Sequence, residues 1–303
     1  MNLAKYLIFD RGDIENTILL TGSGRSGTTW LENLLNHDNS KRIIFEPFHN
    51  TRNGSISHWN PRQYLHPDEN RPEYTEPLDE ILSGKFRSTW SDQFNKKIIV
   101  SSRLIKAIRA NFLLPWIHKR YPGIPIIFLM RHPCAVAYSR IQLGWEASVS
   151  NILAQKSLMK CCLEPFANIL SDELEEFERH ILVWCVENYV PLTQMKTGSM
   201  HVVFYEDLVL QKDVEIRSAF KAVGQTAPDL EKLEMNQPSA LTRADSSINQ
   251  GEDILKSWTK NIAQPQVDRA VDLLTQFGLN RIYNESIHPQ MSADTVLGTF
   301  KAE

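Results

Sequence analysis

The stretch Ile18–Leu35, ILLTGSGRSGTTWLENLL, decides the fold of this chain. It opens with three apolar residues, which are typical of a buried parallel strand. A glycine-rich turn over residues 22–27 follows, and apolar residues then recur at helical spacing. In such a strand–turn–helix unit the backbone N–H groups converge at the helix start, where the helix dipole favours an anion. The stretch therefore predicts a phosphate-binding loop rather than a glycine turn that only joins strand to helix.

The loop has the glycine spacing of a Walker A motif but lacks its lysine. Gly22 and Gly27 match the two glycines of GxxxxGK[ST], and Thr28 stands at the lysine position. Because that lysine reaches the β- and γ-phosphates of ATP, its absence argues against a P-loop kinase or NTPase. A cation lies inside the loop instead, at Arg25.

Composition and charge exclude several classes of protein. The 303 residues carry 33 Lys and Arg against 36 Asp and Glu, a formal net charge of −3, so a generally basic nucleic-acid-binding surface is excluded. No segment approaches the ~18 consecutive apolar residues of a membrane span, and the N-terminus is too charged for a signal peptide. The four cysteines have neither CxxC nor metal-ligand spacing. We expect a cytoplasmic protein that binds no nucleic acid, spans no membrane and needs no metal.

Strands and helices alternate along the chain, which predicts an α/β fold: a central parallel β-sheet flanked by helices. After the first strand, the predicted strands are Arg42–Phe45, Lys97–Ser101, Pro125–Met130 and Met200–Phe204. After the first helix, the predicted helices are Asn111–Tyr121, Ala135–Leu143, Ser171–Met195, Ile216–Val223 and Pro265–Phe277.

We expect one domain over residues 1–303, with two segments that lack strong periodicity. In residues 50–95, only Pro77–Leu82 suggests a helix, and residues 145–170 are weakly patterned. Long loops inside a compact domain are usually lids or binding segments. We therefore expect both segments to bind an acceptor or to cover the site.

The residues Arg25–Trp30, RSGTTW, resemble the 5′-phosphosulfate loop of sulfotransferases that use 3′-phosphoadenosine 5′-phosphosulfate (PAPS). The resemblance implies a sulfotransferase fold of the P-loop-containing nucleoside triphosphate hydrolase-like type. It also implies that PAPS is the co-substrate and that Trp30 offers a stacking surface for its adenine. The residues implied to hold the phosphosulfate are Gly24, Arg25, Ser26, Gly27, Thr28 and Thr29.

Two later motifs resemble the same family. Arg131 to Ser139, RHPCAVAYS, is similar to the RxPxxxxxS pattern in which arginine and serine hold the 3′-phosphate of the cofactor. A guanidinium can bind phosphate oxygens bidentately, although a surface salt bridge is the alternative for Arg131. The sequence YEDL from Tyr205 implies an adenine contact, while its carboxylates leave a Walker B metal site open. Lys256 and Trp258 loosely resemble a segment that closes over the 3′-phosphate.

Sulfuryl transfer needs a base for the acceptor hydroxyl and positive charge for the leaving phosphate, and Arg25 is placed for the second task. The K-T-H histidine of the cytosolic branch is absent, since Lys106 is followed by alanine and isoleucine. Glu46 lies nineteen residues beyond Gly27, a spacing that resembles tyrosylprotein sulfotransferases. It is the candidate base, with His49 in reserve and Lys106 a candidate to hold the sulfuryl group. The alternative for Glu46 is a structural salt bridge.

The sequence thus predicts a PAPS-dependent sulfotransferase that acts on a hydroxyl of a small molecule or carbohydrate. A P-loop kinase or NTPase is one alternative, and a non-catalytic nucleotide-binding protein is another. The pattern favours no particular acceptor and no particular oligomeric state.

Overall fold

The computed structural model describes residues 7–232 and 254–300. Its sheet has five strands in the order β2-β3-β1-β4-β5, and every neighbouring pair is parallel. The predicted α/β class, a parallel sheet flanked by helices, is confirmed. The strands are β1 (Thr17–Gly22), β2 (Lys41–Phe45), β3 (Ser102–Lys106), β4 (Ile126–Met130) and β5 (His201–Phe204).

Helices cover both faces of the sheet. Within the described ranges, none of them combines the length and apolarity that crossing a membrane requires. The helices are α1 (Thr28–Leu35), α2 (Pro72–Leu82), α3 (Leu114–Arg120), α4 (Pro133–Ile141), α5 (Ser150–Leu153), α6 (Lys156–Leu158), α7 (Glu176–Gln194), α8 (Tyr205–Leu210), α9 (Lys212–Ala222), α10 (Gln264–Gln276) and α11 (Ala293–Thr299).

Side chains alternate between two hydrophobic cores along each strand, because successive residues of a strand point to opposite faces. On β1, Leu19 joins the larger core, which includes helices α4, α7 and α10. Ile18 and Leu20 join the smaller core beneath α1 and α9. Burial on both faces explains why the strands read as continuous apolar runs.

The third strand was predicted at the wrong residues. Within the described residues, the only strand-like pairing of Lys97–Ser101 is an isolated β-bridge between Ile99 and Phe9. Ile99 is 78% exposed, and the strand begins at Ser102. Arg103 concealed it, since a charge in the middle of a run argues against a buried strand. In the fold Arg103 is fully buried, pairs with Asp10 and donates to the Thr17 hydroxyl.

The segment 50–95 is more ordered than predicted. Helix α2 occupies Pro72–Leu82, five residues longer at its start than the suggested helix, and Pro72 suits the first helical turn. Near the end of the segment, the Asn95 side chain pairs with both backbone groups of Ile43 at 2.7 and 3.0 Å. These bonds cover the free edge of β2.

The start of α7 and the end of the chain also differ from the prediction. Helix α7 begins at Glu176 rather than Ser171, whose hydroxyl instead accepts from the Glu173 N–H at 3.1 Å. The sequence from His288 predicts a frayed tail, but Ala293–Thr299 forms α11, in which Val296 is fully buried against the larger core. The polar sequence of Pro238–Asp253 predicts a loop, and these residues lie outside the described ones.

Candidate active site

The phosphate loop between β1 and α1 depends on two glycines that no other residue could replace without rearrangement. A Cβ at Gly22 would lie 2.2 Å from the Leu129 carbonyl oxygen. A Cβ at Gly27 would lie 2.5 Å from the Tyr205 ring, and the Gly27 φ of +98° is itself unfavourable for side chains. Close packing against β4 and Tyr205 therefore fixes the loop that the sequence predicted.

The loop has hydrogen-bonding capacity that the protein does not use. The Ser26 hydroxyl is fully buried and has no partner among the described residues. No side chain caps the start of α1, where Gly27 is the N-cap residue. Buried polar groups without partners are costly in a folded protein, and uncapped helix N-termini bind anions. Both features fit a phosphate group that accepts hydrogen bonds from the Ser26 hydroxyl and from the backbone N–H groups of Thr28 and Thr29 at the start of α1.

Three guanidinium groups converge on this loop. Arg25 donates from Nε to the Ser139 hydroxyl at 3.0 Å, and Arg131 donates to the Arg25 carbonyl at 3.2 Å. Arg140 donates to the Gly24 carbonyl, also at 3.2 Å. Burial lowers the pKa of Arg25, and the charges of Arg131 and Arg140 lower it further. The structure thus joins the predicted loop and the predicted Arg131–Ser139 pair in one site whose like charges favour a polyanion.

Tyr205 and Trp30 form the aromatic side of the site. Tyr205 is buried, its ring lies 4.3 Å beneath the Arg131 guanidinium, and Trp30 meets it edge-on at 5.8 Å. Tyr205 begins helix α8 directly after β5. The two side chains predicted to contact adenine therefore lie together, next to the arginine predicted to bind the 3′-phosphate.

The carboxylate after Tyr205 has a structural role that the Walker B alternative did not anticipate. Glu206 accepts from the His132 N–H at 2.9 Å and from the Tyr283 hydroxyl at 2.8 Å. Burial raises the pKa of Glu206. In the part of the chain that the structure describes, no group of three or more His, Cys, Asp or Glu side chains could hold a metal ion. Glu206 fixes the turn that carries Arg131.

The last two predicted cofactor residues are placed differently from each other. The Trp258 indole is 2% exposed and stacks on His132, with ring centroids 4.4 Å apart. It therefore supports the turn after β4 from the core side. Lys256 is exposed. A contact of either residue with the cofactor stays a prediction.

Glu46 lies at the end of β2 in a nest of donors. The residue is 3% exposed, and its Oε1 accepts from the Ile108 N–H at 3.2 Å and lies 3.6 Å from the Lys106 ammonium. Its Oε2 accepts from Arg109 at 3.2 Å. The salt bridge that the sequence left open is therefore present. Since a carboxylate has about four lone-pair sites, Oε2 retains room for one further donor, such as an acceptor hydroxyl.

Glu32, which the sequence reasoning missed, is a second buried carboxylate in this region. It is 4% exposed on α1, and its Oε2 has no partner among the described residues. Burial raises its pKa to about 7, Lys106 opposes that rise and Glu46 adds to it. One signal was available: Glu32 falls among Leu31, Leu34 and Leu35 on the apolar face of a short helix.

His49, the reserve base, is a half-buried neutral imidazole. Its Nδ1 lies 3.2 Å from the Thr51 hydroxyl, and its ring meets Trp90 edge-on. Burial lowers the pKa of His49 to about 4, and the charges of Arg109 and Arg52 contribute. A base of such low pKa takes a proton weakly at neutral pH.

The two segments predicted to bind the acceptor meet beside the loop. The Gln155 side chain accepts from the Tyr64 N–H at 2.7 Å and donates to the Arg62 carbonyl at 3.1 Å. A Cβ at Gly24 would lie 2.8 Å from the Trp145 ring. The segments 50–95 and 145–170 therefore contribute walls to this site, and their role in acceptor binding stays a prediction.

Taken together, the parallel sheet, the loop and the three guanidiniums form a site at the carboxyl edge of the strands that suits a phosphorylated ligand. A model of the sulfotransferase family matches residues 17–229, more than two thirds of the chain. The chain therefore belongs to the sulfotransferase family, and it is an enzyme of that class. This confirms the family that the motifs resembled.

Solved structures of sulfotransferases resemble the fold at low sequence identity. A sulfotransferase domain from the curacin biosynthetic pathway has 15% identity and a TM-score of 0.46, with 86% of this chain and 96% of that chain covered. Retinol dehydratase in a complex with retinol and PAP has 15% identity and a TM-score of 0.42, with 95% of this chain and 86% of that chain covered. A sulfotransferase from Mycobacterium avium has 12% identity and a TM-score of 0.46, with 91% of this chain and 79% of that chain covered. No curated protein matches the sequence significantly.

Proposed function

We propose that this sulfotransferase transfers the sulfuryl group of PAPS to a hydroxyl of a small molecule or carbohydrate. The observation that carries the proposal is the buried Ser26 hydroxyl, which no described residue partners, in a loop on which Arg25, Arg131 and Arg140 converge. The charges of Arg25 and Arg131, beside a hydroxyl with unused hydrogen-bonding capacity, fit a ligand with more than one phosphate. Membership of the sulfotransferase family supports this assignment.

The chain offers two groups of phosphate-binding residues. Gly24–Thr29, with the Arg25 cation, would hold the 5′-phosphosulfate, and Arg131 and Ser139 would hold the 3′-phosphate. Trp30 and Tyr205 would contact the adenine, with Lys256 and Trp258 closing over the 3′-phosphate. PAPS supplies an activated sulfuryl group, and no metal is required if Arg25 neutralises the leaving phosphate.

The proposed chemistry places Glu46 as general base. As the acceptor oxygen bonds to sulfur, the sulfur–oxygen bond to the 5′-phosphate breaks, and Oε2 of Glu46 takes the hydroxyl proton. Lys106 would stabilise the sulfuryl oxygens, and Arg25 the charge that develops on the phosphate. The products are a sulfate ester and adenosine 3′,5′-bisphosphate.

The cofactor assignment is tested by thermal denaturation with nucleotides. Adenosine 3′,5′-bisphosphate should raise the melting temperature far more than AMP, ADP or ATP, because among these four nucleotides only it carries a 3′-phosphate as well as a 5′-phosphate. An equal shift with ATP would support a P-loop kinase or NTPase instead. Tight binding without turnover of any alcohol, phenol or sugar would support a non-catalytic nucleotide-binding protein.

The base assignment is tested with Glu46→Gln, which keeps the shape and removes the proton acceptor. Turnover should fall roughly 100- to 10,000-fold, while affinity for adenosine 3′,5′-bisphosphate stays nearly unchanged. The matched variant His49→Ala should lose much less. If Glu46 is only a salt-bridge partner of Arg109, the same sample will show a lower melting temperature and a modest kinetic loss.

A further inference from the structure

Two arginines lie on the side of the site that carries Glu46, and much of their hydrogen-bonding capacity is unused by the described residues. The Arg62 side chain is 31% exposed and donates to Glu187 Oε1 at 2.6 Å. The Arg109 side chain is 27% exposed and donates to Glu46 Oε2 at 3.2 Å. Each guanidinium has five N–H donors, and each makes one side-chain hydrogen bond within the described residues.

The carboxylates that they contact are already shared with buried cations. Glu187 also accepts from Arg140 at 2.8 Å, and Glu46 also lies 3.6 Å from Lys106. Four cations therefore face two carboxylates here. Glu32 adds a third acidic group close to Lys106, but with a pKa of about 7 it is only partly ionised at neutral pH. The cluster has an excess of positive charge.

The two arginines also lie close enough to affect each other. Burial lowers the pKa of Arg109, the carboxylate of Glu46 opposes this, and the Arg62 charge lowers it further. Nearby, the charges of Arg109 and Arg52 help to lower the pKa of His49. Two partly buried like charges repel each other unless an anion joins them.

Arg62 is held in place by the surrounding fold. The Gln155 side chain donates to its carbonyl, and its φ of +56° is unusual for a residue with a side chain. Backbone strain of this kind persists where the surrounding structure enforces it, and it is frequent at ligand-binding sites. Arg62 is therefore positioned rather than free to swing into solvent.

Strand order separates this pair from the cofactor's 3′-phosphate residues. Arg109 follows β3, and its partner Glu46 follows β2, whereas Arg131 follows β4. Because β1 lies between β3 and β4, the phosphate loop stands between Arg109 and Arg131. An anion at Arg62 and Arg109 would therefore belong to the acceptor rather than to PAPS.

We propose that Arg62 and Arg109 bind an oxyanion of the acceptor, so that the acceptor is a hydroxyl compound that also carries a carboxylate or phosphoryl group. This inference rests on the proposed sulfuryl transfer. The planar fork of an arginine matches both groups bidentately, and the shared Glu46 would bring the acceptor hydroxyl to the base.

The turnover test uses matched acceptors with and without the acid group. 4-Hydroxyphenylacetate is compared with its amide, 3-hydroxydecanoate with its methyl ester, and glycerol 3-phosphate with glycerol, all at saturating PAPS. The acid of a pair should have a kcat/KM about 10- to 100-fold higher, and Arg62→Gln should remove that preference through KM. Equal use of the neutral partner would overturn the inference while leaving sulfuryl transfer intact.

A binding test keeps the inference testable if none of these compounds is sulfated. The protein is saturated with adenosine 3′,5′-bisphosphate, and inorganic phosphate or acetate is then titrated at constant ionic strength. The melting temperature should rise with the anion in the wild type and in Arg217→Gln, an exposed arginine on α9. The rise should be lost in Arg62→Gln and in Arg109→Gln. A rise that survives in both variants would overturn the inference, and failure of the bisphosphate itself to bind would instead overturn the proposed function.

Discussion

Replacing Glu32 by glutamine is expected to change how the stability of this protein depends on pH. Glu32 is 4% exposed, and burial raises its pKa from 4.5 to about 7. At 1.36 kcal/mol per pKa unit, this difference of about 2.5 corresponds to about 3 kcal/mol. The energy is the cost of ionising a carboxyl whose Oε2 has no partner among the described residues.

The direction of this pH dependence follows from the number of protons bound to the folded and to the unfolded protein. Between pH 4.5 and about 7 the folded protein keeps a proton on Glu32 that the unfolded chain loses. The contribution of Glu32 to stability is therefore present below pH 4.5 and is lost as the pH rises through about 7. Glutamine is neutral throughout, so Glu32→Gln should exceed the wild type by less than about 1 kcal/mol at pH 5 and by up to about 3 kcal/mol at pH 8.

The measurement is urea unfolding of the wild type and Glu32→Gln at pH 5, 6, 7 and 8. Glu164→Gln, an exposed glutamate, serves as the matched control and should unfold like the wild type at each pH. The reasoning is refuted if the difference in unfolding free energy between Glu32→Gln and the wild type does not grow between pH 5 and pH 8.

Three further predictions concern the phosphate loop and the arginine that follows β4. Gly27→Ala should lower stability by at least about 2 kcal/mol, because its Cβ would meet the Tyr205 ring. Gly224→Ala, at φ +69° with open space around it, should cost only about 1–2 kcal/mol; equal losses in urea unfolding would show that the contact with Tyr205 is irrelevant. Arg131→Ala should weaken binding of adenosine 3′,5′-bisphosphate by about 1.5–3 kcal/mol, measured by calorimetry. Arg25→Ala should mainly lower turnover, and a change only in the Michaelis constant for PAPS would contradict its role at the leaving phosphate.

The parts of the fold that local patterns determine could be predicted from the sequence. The apolar run of β1, the glycine turn and the start of α1 need only short-range information, and Arg131 and Tyr205 each follow an apolar strand directly. Because all strands are parallel, those strand ends meet at one edge of the sheet. The parallel order of the strands therefore explains why the predicted cofactor residues lie next to each other.

Charged residues inside buried elements could not be predicted in the same way. Arg103 in β3 and Glu32 in α1 look like solvent-exposed positions, because a charge is rarely buried without a partner. The partners lie far away in the chain: Asp10 and Thr17 for Arg103, and Lys106 and Glu46 in the neighbourhood of Glu32. No short-range pattern contains these pairings.

Backbone conformation explains why the acceptor side was harder to find than the loop. Among the described residues, four non-glycine residues have positive φ, and Arg25, Glu46 and Arg62 are three of them. Each is fixed by a distant partner: Arg131 on the Arg25 carbonyl, the Ile108 N–H on the Glu46 carboxylate, and Gln155 on the Arg62 carbonyl. A glycine would have signalled such a conformation in the sequence, whereas an arginine or glutamate gives no signal. The strained residues that aim charge at the proposed reaction centre are therefore visible only once these contacts, up to 106 residues apart, have formed.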